Sequence, residues 1–204
     1  MVKQPPTPIE WHVLSHGGGV QSTALHLLAD EGKLHFDVAI FADPGEEEDA
    51  TYSHLAWLGA ACKTPLWRRS VGGRLGDHLI SGCNSTRQRF ASIPAFTAPD
   101  HTLRPPGKVH EGRVRRQCTS EYKIEVVERA IRRELVGLQP RQRIPRHVKV
   151  HQYFGISTDE AGRAKRAAKR FDNASWCVPH WPLIDMGWSR GDCVRYLATR
   201  VPHP

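Results

Sequence analysis

The sequence predicts a single α/β domain: a mostly parallel, five-stranded sheet with helices on both faces. The segment Val38-Ala39-Ile40-Phe41-Ala42 is an unbroken apolar run of strand length, which is typical of a strand buried on both faces of a parallel sheet. Strand-like and helix-like segments alternate along the first third of the chain, as they do in βαβ units. The 204 residues are 39% hydrophobic and 25% charged, a composition that is typical of globular proteins.

The elements of the first third follow in order. Residues 12–14 form a short apolar strand that runs into a glycine cluster, and residues 23–29 are typical of a first helix. After the strand at 38–42, a helix is expected from about residue 51 to residue 61. Residues 65–67 indicate a weaker third strand. This spacing favours right-handed crossovers between parallel strands.

The rest of the chain contains an irregular stretch and then further elements. Between about residues 71 and 120, glycine, proline and arginine are frequent and periodicity is lost, which indicates a long irregular insertion. Apolar residues recur at helical spacing from 124 to 135, and residues 148–154 alternate as a strand. A basic helical stretch covers 162–170, and Ser189-Arg190-Gly191-Asp192 fits a capping box at the start of a last helix.

The charge balance and the cysteines limit the classes of function. Lys and Arg number 29 against 21 Asp and Glu, and the net charge of +8 favours a polyanionic partner: a nucleotide, a nucleic acid or an acidic protein. No apolar run is long enough for a transmembrane helix and the first residues do not resemble a signal peptide, so we expect a cytoplasmic protein with no membrane partner. Five widely spread cysteines are expected to be reduced thiols. The sequence indicates no oligomeric state.

The most informative segment is Ser15-His16-Gly17-Gly18-Gly19-Val20-Gln21-Ser22, between the first strand and the first helix. Consecutive glycines permit positive φ angles and a close approach to a ligand. Their N–H groups can converge on an anion, and the helix N-terminus adds partial positive charge. Ser15 and Ser22 could add hydroxyl donors, while the Gly-Lys-Ser/Thr ending of a Walker A loop is missing. The segment therefore predicts phosphate binding, and a plain glycine-rich turn is the alternative.

Residues 17–22 resemble the PP-loop, S-G-G-x-D-S, of the adenine nucleotide α-hydrolases, which include ATP pyrophosphatases, tRNA thiolases and phosphoadenylyl-sulfate (PAPS) reductases. Gln21 replaces the acidic residue of that motif, which is closer to the reductase branch. Four further segments resemble the family in the right order, and several resemble phage-type members: 41–45 with 51–52, 116–124, 155–163, and 182–185 with 192 and 196–197. The resemblance covers nearly the whole chain and implies one PP-loop domain over residues 1–204.

The resemblance implies roles for individual residues in nucleotide binding. Backbone amides and side chains of the loop, Gln21 included, would meet the phosphates. Asp43 and Gly45 match the family's "DTG" stretch, which lies near the nucleoside, and a helix-capping turn is the alternative for these residues. Glu160 and Arg163 fall in a segment similar to "GxRxxES…R", which meets the substrate's phosphates.

A thiol and a lysine are the remaining candidates for catalysis. Cys118 matches the first cysteine of the family's "CCxxRKxxPL" stretch, and Lys123 matches its lysine. Cys118 lies beside Arg116 and a predicted helix start, and both lower the pKa of a thiol. Cys118 is therefore expected to be a nucleophile or an iron–sulfur ligand, with a buried capping cysteine as the alternative. Lys123 and Arg163 would stabilise charge on a phosphoryl group.

The resemblance implies an enzyme that binds ATP or a PAPS-like adenine nucleotide and carries out sulfur transfer or substrate adenylylation. The resemblance is compatible with Mg²⁺ and an iron–sulfur cluster as cofactors and does not decide between them. It is also compatible with a nucleic acid or a sulfur-donor protein as a second partner. One alternative is a sulfonucleotide (PAPS or APS) reductase that works with a thiol protein. Another is a non-catalytic nucleotide-binding or nucleic-acid-binding protein, in which the basic stretch 163–170 contacts phosphates rather than only solvent.

Overall fold

The computed structural model describes residues 6–84, 86–87 and 120–201. The described strands are β1 (Ile9–His16), β2 (Val38–Ala42), β3 (Leu66–Arg69), β4 (Val148–Phe154) and β5 (Cys177–His180). The described α-helices are α1 (Val20–Asp30), α2 (Asp49–Ala61), α3 (Leu75–Ile80), α4 (Glu125–Ala130), α5 (Ala161–Ala168), α6 (Pro182–Asp185) and α7 (Arg190–Leu197). Wider π-helical turns, Ser120–Ile124 and Ile131–Leu135, continue α4 at both ends, and a 3₁₀ turn, Thr158–Glu160, precedes α5.

The described residues form two compact units. The first, the sheet unit, contains Phe41 and the residues before it, Glu48–Arg69, and the residues from Arg129 onward. The second contains Ala42–Glu47 and Ser70–Glu128. Most of the second unit coincides with the stretch predicted as an irregular insertion. Its described part nevertheless contains the short helix α3, where the sequence predicted no regular element.

The sheet has the strand order β3-β2-β1-β4-β5, and its strands are parallel. Ser15 of β1 is in register with Ile40 of β2 on one side and with Phe154 of β4 on the other. β2 and β3 therefore follow one another on one side of β1, and β4 and β5 follow one another on its other side. Right-handed connections that run in these two opposite directions place their helices on opposite faces of a sheet. The predicted α/β fold with a five-stranded parallel sheet is confirmed.

The core explains why these residues form these strands. All five residues of β2 are buried, as expected for an apolar strand inside a parallel sheet. On one face, Leu14 of β1 and Leu25 of α1 are fully buried in a cluster that includes Leu183 of α6 and Cys193 of α7. Burial of each such side chain contributes about 1.5–3 kcal/mol. The cluster fixes α1 against the sheet and so fixes the position of the loop that precedes α1.

The ends of several elements differ from the sequence prediction. The first helix begins at Val20 rather than at residue 23, and the first strand spans Ile9–His16 rather than 12–14. The capping box at the last helix is confirmed: the Ser189 side chain accepts from the Asp192 N–H, and the Asp192 carboxylate accepts from the Ser189 N–H. Over the ranges described, no helix is both long enough and apolar enough to cross a membrane.

Candidate functional site

The candidate site lies where the order of strands reverses. β1 and β4 are parallel neighbours, so the loops that leave their carboxyl ends, residues 17–19 and 155–157, emerge at the same edge of the sheet. One connection continues towards β2 and the other towards β5, on opposite sides of this strand pair. In open α/β sheets, ligands bind in the crevice at such a switch point.

The glycine loop is open and only one of its glycines is required by the backbone. Gly18 has a φ of +75°, and a Cβ atom there would lie 3.2 Å from side-chain atoms of both Phe41 and Thr51. Gly17 and Gly19 are exposed, have no left-handed φ, and a Cβ on Gly19 would meet nothing within 4 Å. Gly18 therefore shapes the turn, while its two neighbours leave free space on the outer side of the loop.

The helix that follows the loop has no side-chain cap at its N-terminus. Gly19 is the N-cap residue, and the first hydrogen bond of the helix runs from the Thr23 N–H to the Gly19 carbonyl at 3.0 Å. The N–H groups of Val20, Gln21 and Ser22 precede that bond and have no acceptor inside the helix. Three amides and the positive end of the helix dipole therefore converge next to the exposed glycines, which is the arrangement that binds an anion.

The two serines of the loop are held by the protein itself. The Ser22 hydroxyl donates to the Gly19 carbonyl at 2.9 Å, and Ser22 is buried. The Ser15 hydroxyl accepts a hydrogen bond from the Gln152 side-chain amide at 2.7 Å. The sequence predicted both as hydroxyl donors to a ligand. In this structure Ser22 uses its hydroxyl hydrogen within its own helix, so the donors left for a ligand are the N–H groups of Val20, Gln21 and Ser22, which have no acceptor inside the helix.

Side chains from three helical segments meet beside the loop. The Gln21 amide nitrogen donates to a Glu160 carboxylate oxygen at 3.3 Å, and Arg163 donates to the other Glu160 oxygen at 3.0 Å. The Gln21 amide oxygen accepts from the Arg190 guanidinium at 3.2 Å, and the Arg190 backbone N–H donates to the Asp159 carboxylate at 2.6 Å. The structure thus brings together Gln21, Glu160 and Arg163, three of the residues that the sequence assigned to phosphate binding. It adds Arg190, which no sequence signal placed here because it lies 169 residues after Gln21.

Gly155 lets the two loops touch. A Cβ atom on Gly155 would lie 2.7 Å from the Ser22 nitrogen and 3.0 Å from the Gln21 carbonyl carbon. Atoms do not approach so closely without displacement, so only glycine fits between the end of β4 and the first turn of α1. In the sequence, Gly155 is only one position of a segment that resembles the family. Its physical role is to bring residues 159–163 within reach of the helix N-terminus.

A buried, neutral histidine, His16, accepts a hydrogen bond from the backbone of the glycine loop. His16 is buried, and its Nδ1 accepts a hydrogen bond from the Gly18 N–H at 3.1 Å. Burial, with the nearby His26 and His54, lowers the pKa of His16 to about 3. The uncharged ring is therefore a fixed acceptor that holds Gly18 in its left-handed conformation. Two buried atoms near these loops, His16 Nε2 and Ser157 Oγ, have no hydrogen-bond partner among the residues that the structure describes.

Three of the predicted residues, Asp43, Gly45 and Lys123, belong to the described part of the second unit. The Asp43 carboxylate accepts from the Gly45 N–H at 2.8 Å, and Gly45 has a φ of +76°. Lys123 forms an ion pair with Glu47 at 3.2 Å. This hydrogen bond of Asp43 is local to its own turn, and binding of a nucleoside by Asp43 stays a prediction. Cys118, the predicted nucleophile or iron ligand, lies outside the described residues.

Two of the described thiols, Cys62 and Cys193, have little nucleophilic character. Cys177 and Cys193 are buried, and Cys62 and Cys83 are half-buried. Burial raises the pKa of Cys62 to about 11, and burial also raises the pKa of Cys193. Both remain protonated at neutral pH, and the thiolate is the reactive form. Within the described ranges, no three His, Cys, Asp or Glu side chains are placed to hold a metal ion together.

No protein-family model, curated protein or solved structure matches the chain.

Proposed function

We propose that the protein is an adenine-nucleotide-binding enzyme of the PP-loop, PAPS reductase-like type, and that it binds the nucleotide's phosphates at the N-terminus of α1. The observation that carries the proposal is the uncapped first turn of α1 behind the exposed Gly17 and Gly19, at the switch point of a parallel sheet. Nucleotide phosphates bind at such positions in other α/β proteins.

The recognition of phosphate follows from the geometry of the loop. The amides of Val20, Gln21 and Ser22 would donate to phosphate oxygens, and a hydrogen bond to a charged group contributes about 1.5–3 kcal/mol. Arg163 and Arg190 would supply compensating charge from the two sides of Gln21. Both arginines are held by carboxylates or amides in the free protein, so they are positioned before the ligand arrives. Preorganised charge of this kind stabilises charge that develops on a phosphoryl group.

The reaction in this proposal is sulfur transfer or substrate adenylylation. In adenylylation, an acceptor atom attacks the α-phosphorus of ATP, the bond to the β-phosphate oxygen breaks, and pyrophosphate leaves with the bonding electron pair. Arg163 and the α1 amides would stabilise the charge on the leaving group. Mg²⁺ is usually bound by one or two carboxylates together with the phosphates themselves, and in this proposal Glu160, which accepts from Gln21, would supply a carboxylate. Asp43, Gly45, Lys123 and Cys118 retain the roles that the resemblance implies.

The test compares two substitutions of Gly19 that differ only in charge. Asn and Asp are equally good N-cap residues, and a Cβ at this position has free space, so both variants should fold as well as the original chain. The Asp carboxylate would lie where a phosphate is expected and would repel it, whereas Asn would not. Calorimetric titration with ATP, AMP and PAPS should show affinity for at least one of them, with Gly19→Asp binding at least tenfold more weakly than Gly19→Asn. Equal affinity in the two variants, or no heat with any nucleotide, would remove the loop from the proposal.

The chemistry is tested separately from binding. Pyrophosphate release from ATP identifies adenylylation, and sulfite release from PAPS with a thiol protein identifies a reductase. Cys118→Ser should abolish turnover and spare nucleotide binding, because a hydroxyl replaces the thiolate without changing the loop. Unchanged turnover would exclude Cys118 from the mechanism while leaving the phosphate site intact.

A further inference from the structure

The exposed face of α5 and of the turn that follows it is entirely basic. The exposed residues of 161–170 are Gly162 and five cations: Arg163, Lys165, Arg166, Lys169 and Arg170. At 100° per residue these positions fall on one side of the helix, over an arc of roughly 160°. The four alanines, at 161, 164, 167 and 168, are buried or half-buried. The helix therefore packs through small apolar side chains and turns all its charge outward.

Most of this charge is not neutralised within the protein. Arg163 forms an ion pair with Glu160 at 3.0 Å. In the part of the chain that the structure describes, the other four cations have no carboxylate partner within ion-pair distance. A solvated helix face usually mixes both signs of charge, because opposite charges three or four residues apart stabilise the helix. An unmixed basic face lacks that stabilisation and fits a polyanion instead.

The basic face is continuous with the candidate phosphate site. α5 begins directly after the loop that leaves β4, and its first turn contains Arg163. Arg163 contacts Glu160, which contacts Gln21 in the first turn of α1. The cations from 163 to 170 then extend away over about 10 Å, since each helical residue rises 1.5 Å. That length matches about three phosphates of one strand of a duplex, whose repeat along the duplex axis is about 3.4 Å.

We propose that the exposed face of α5 binds the phosphodiester backbone of a nucleic acid and so holds this polymer beside the nucleotide site as the acceptor of the reaction. The role of the nucleic acid as acceptor rests on the proposed function, whereas its binding rests on the charge of α5 alone. Phosphate contacts of this kind position a nucleic acid without reading its sequence. Binding should therefore depend strongly on salt and weakly on sequence.

The experiment removes three cations that do not touch the nucleotide site. In the first variant Lys165, Arg166 and Lys169 are replaced by Gln, which is as good a helix former as Lys and Arg. In the control variant Arg141, Arg143 and Arg146 are replaced by Gln. These three are exposed, and they precede β4, whereas α5 follows β4. Both variants lose three charges, so a difference between them reports the place of the charge and not its amount.

The measurement is fluorescence anisotropy with labelled oligonucleotides at several salt concentrations. Each phosphate contact contributes about 0.7 to the slope of log affinity against log salt for a single strand. The α5 variant should therefore lose about two units of slope and about 100-fold in affinity near 0.1 M salt, while the control should change far less. Single-stranded RNA, single-stranded DNA and duplex DNA are compared to distinguish the source of the backbone. Poly-glutamate of the same charge serves as a competing acidic chain.

The outcomes separate this inference from the proposed function. Equal losses in both variants, no binding of any nucleic acid, or poly-glutamate binding as tightly with the same loss in the α5 variant would overturn the inference. ATP titration of the α5 variant should match that of the original chain, because Arg163 and the α1 amides are unchanged. Nucleic-acid binding without any adenine-nucleotide binding would contradict the proposed function and leave the α5 surface standing.

Discussion

Replacing Gly155 by alanine should force β4 and α1 apart at the candidate site. The new Cβ would lie 2.7 Å from the Ser22 nitrogen and 3.0 Å from the Ser22 Cα, and both are backbone atoms that cannot rotate away. The first turn of α1 has to withdraw by about 0.7 Å to restore ordinary contact distances. Forced insertion of one methyl group into a packed region costs about 1–3 kcal/mol. For a chain of this size that corresponds to a fall in Tm of about 4–8 °C at the middle of the range.

The same substitution at Gly162 is the matched control. Gly162 lies inside α5, is exposed, and its Cβ would meet only the flexible tip of Arg166 at 3.6 Å. Alanine is favoured over glycine in a helix by about 0.5–1 kcal/mol, so Gly162→Ala should raise the Tm. Calorimetric unfolding of both variants, with ATP titrations, measures the effects. Under the proposed function, Gly155→Ala should also weaken ATP binding, because it displaces the amides that are proposed to bind phosphate. A Tm and an affinity equal to those of the original chain would refute the close approach of β4 and α1.

Three further results are expected. Acidification from pH 7.5 to pH 5 should lower the free energy of unfolding, measured in urea, by about 2 kcal/mol through His16. The native pKa of His16, about 3, lies below the unfolded value of 6.5, so only the unfolded state takes up the proton in this range. A His16→Asn variant whose free energy of unfolding falls equally between these pH values would contradict this. Gly18→Ala should cost about 1–2 kcal/mol in urea unfolding, since alanine is strained at a φ of +75°, and an unchanged midpoint would rule out that strain. Ser189→Ala should cost about 1 kcal/mol through loss of the capping box with Asp192, and retention of stability would show that the cap contributes nothing.

The strands differ in how well the sequence predicts them. β2 was predicted at its observed limits because five consecutive apolar residues can be satisfied only by burial on both faces. β5 was not located, because Cys177–His180 is short and contains Pro179. Proline is tolerated there since β5 is the edge strand, so the missing N–H does not remove a bond from the interior of the sheet. Its place beside β4 makes this segment a strand.

The histidines show a second limit of sequence patterns. Their spacing along the chain indicates no cluster. In the sheet, His12 of β1 stacks on its register partner His151 of β4 with ring centroids 4.9 Å apart. His151 in turn contacts His180 of β5, with ring nitrogens 2.9 Å apart. Burial, together with the neighbouring histidine His151, lowers the pKa of both His12 and His180. The order of the strands places these three histidines side by side, and the spacing of residues along the chain does not predict that order.

The chain by itself determined the features that depend on a few consecutive residues. The turn at Gly18, the buried strand β2 and the capping box at Ser189 follow from φ preferences, apolar runs and side-chain oxygens that act within four residues. The tertiary structure decided which loops meet. Arg190 reaches Gln21, and Gly155 admits α1, only because β4 pairs with β1 in register. Contacts between distant residues depend on how whole strands and helices pack, and that packing is a property of all their buried side chains together.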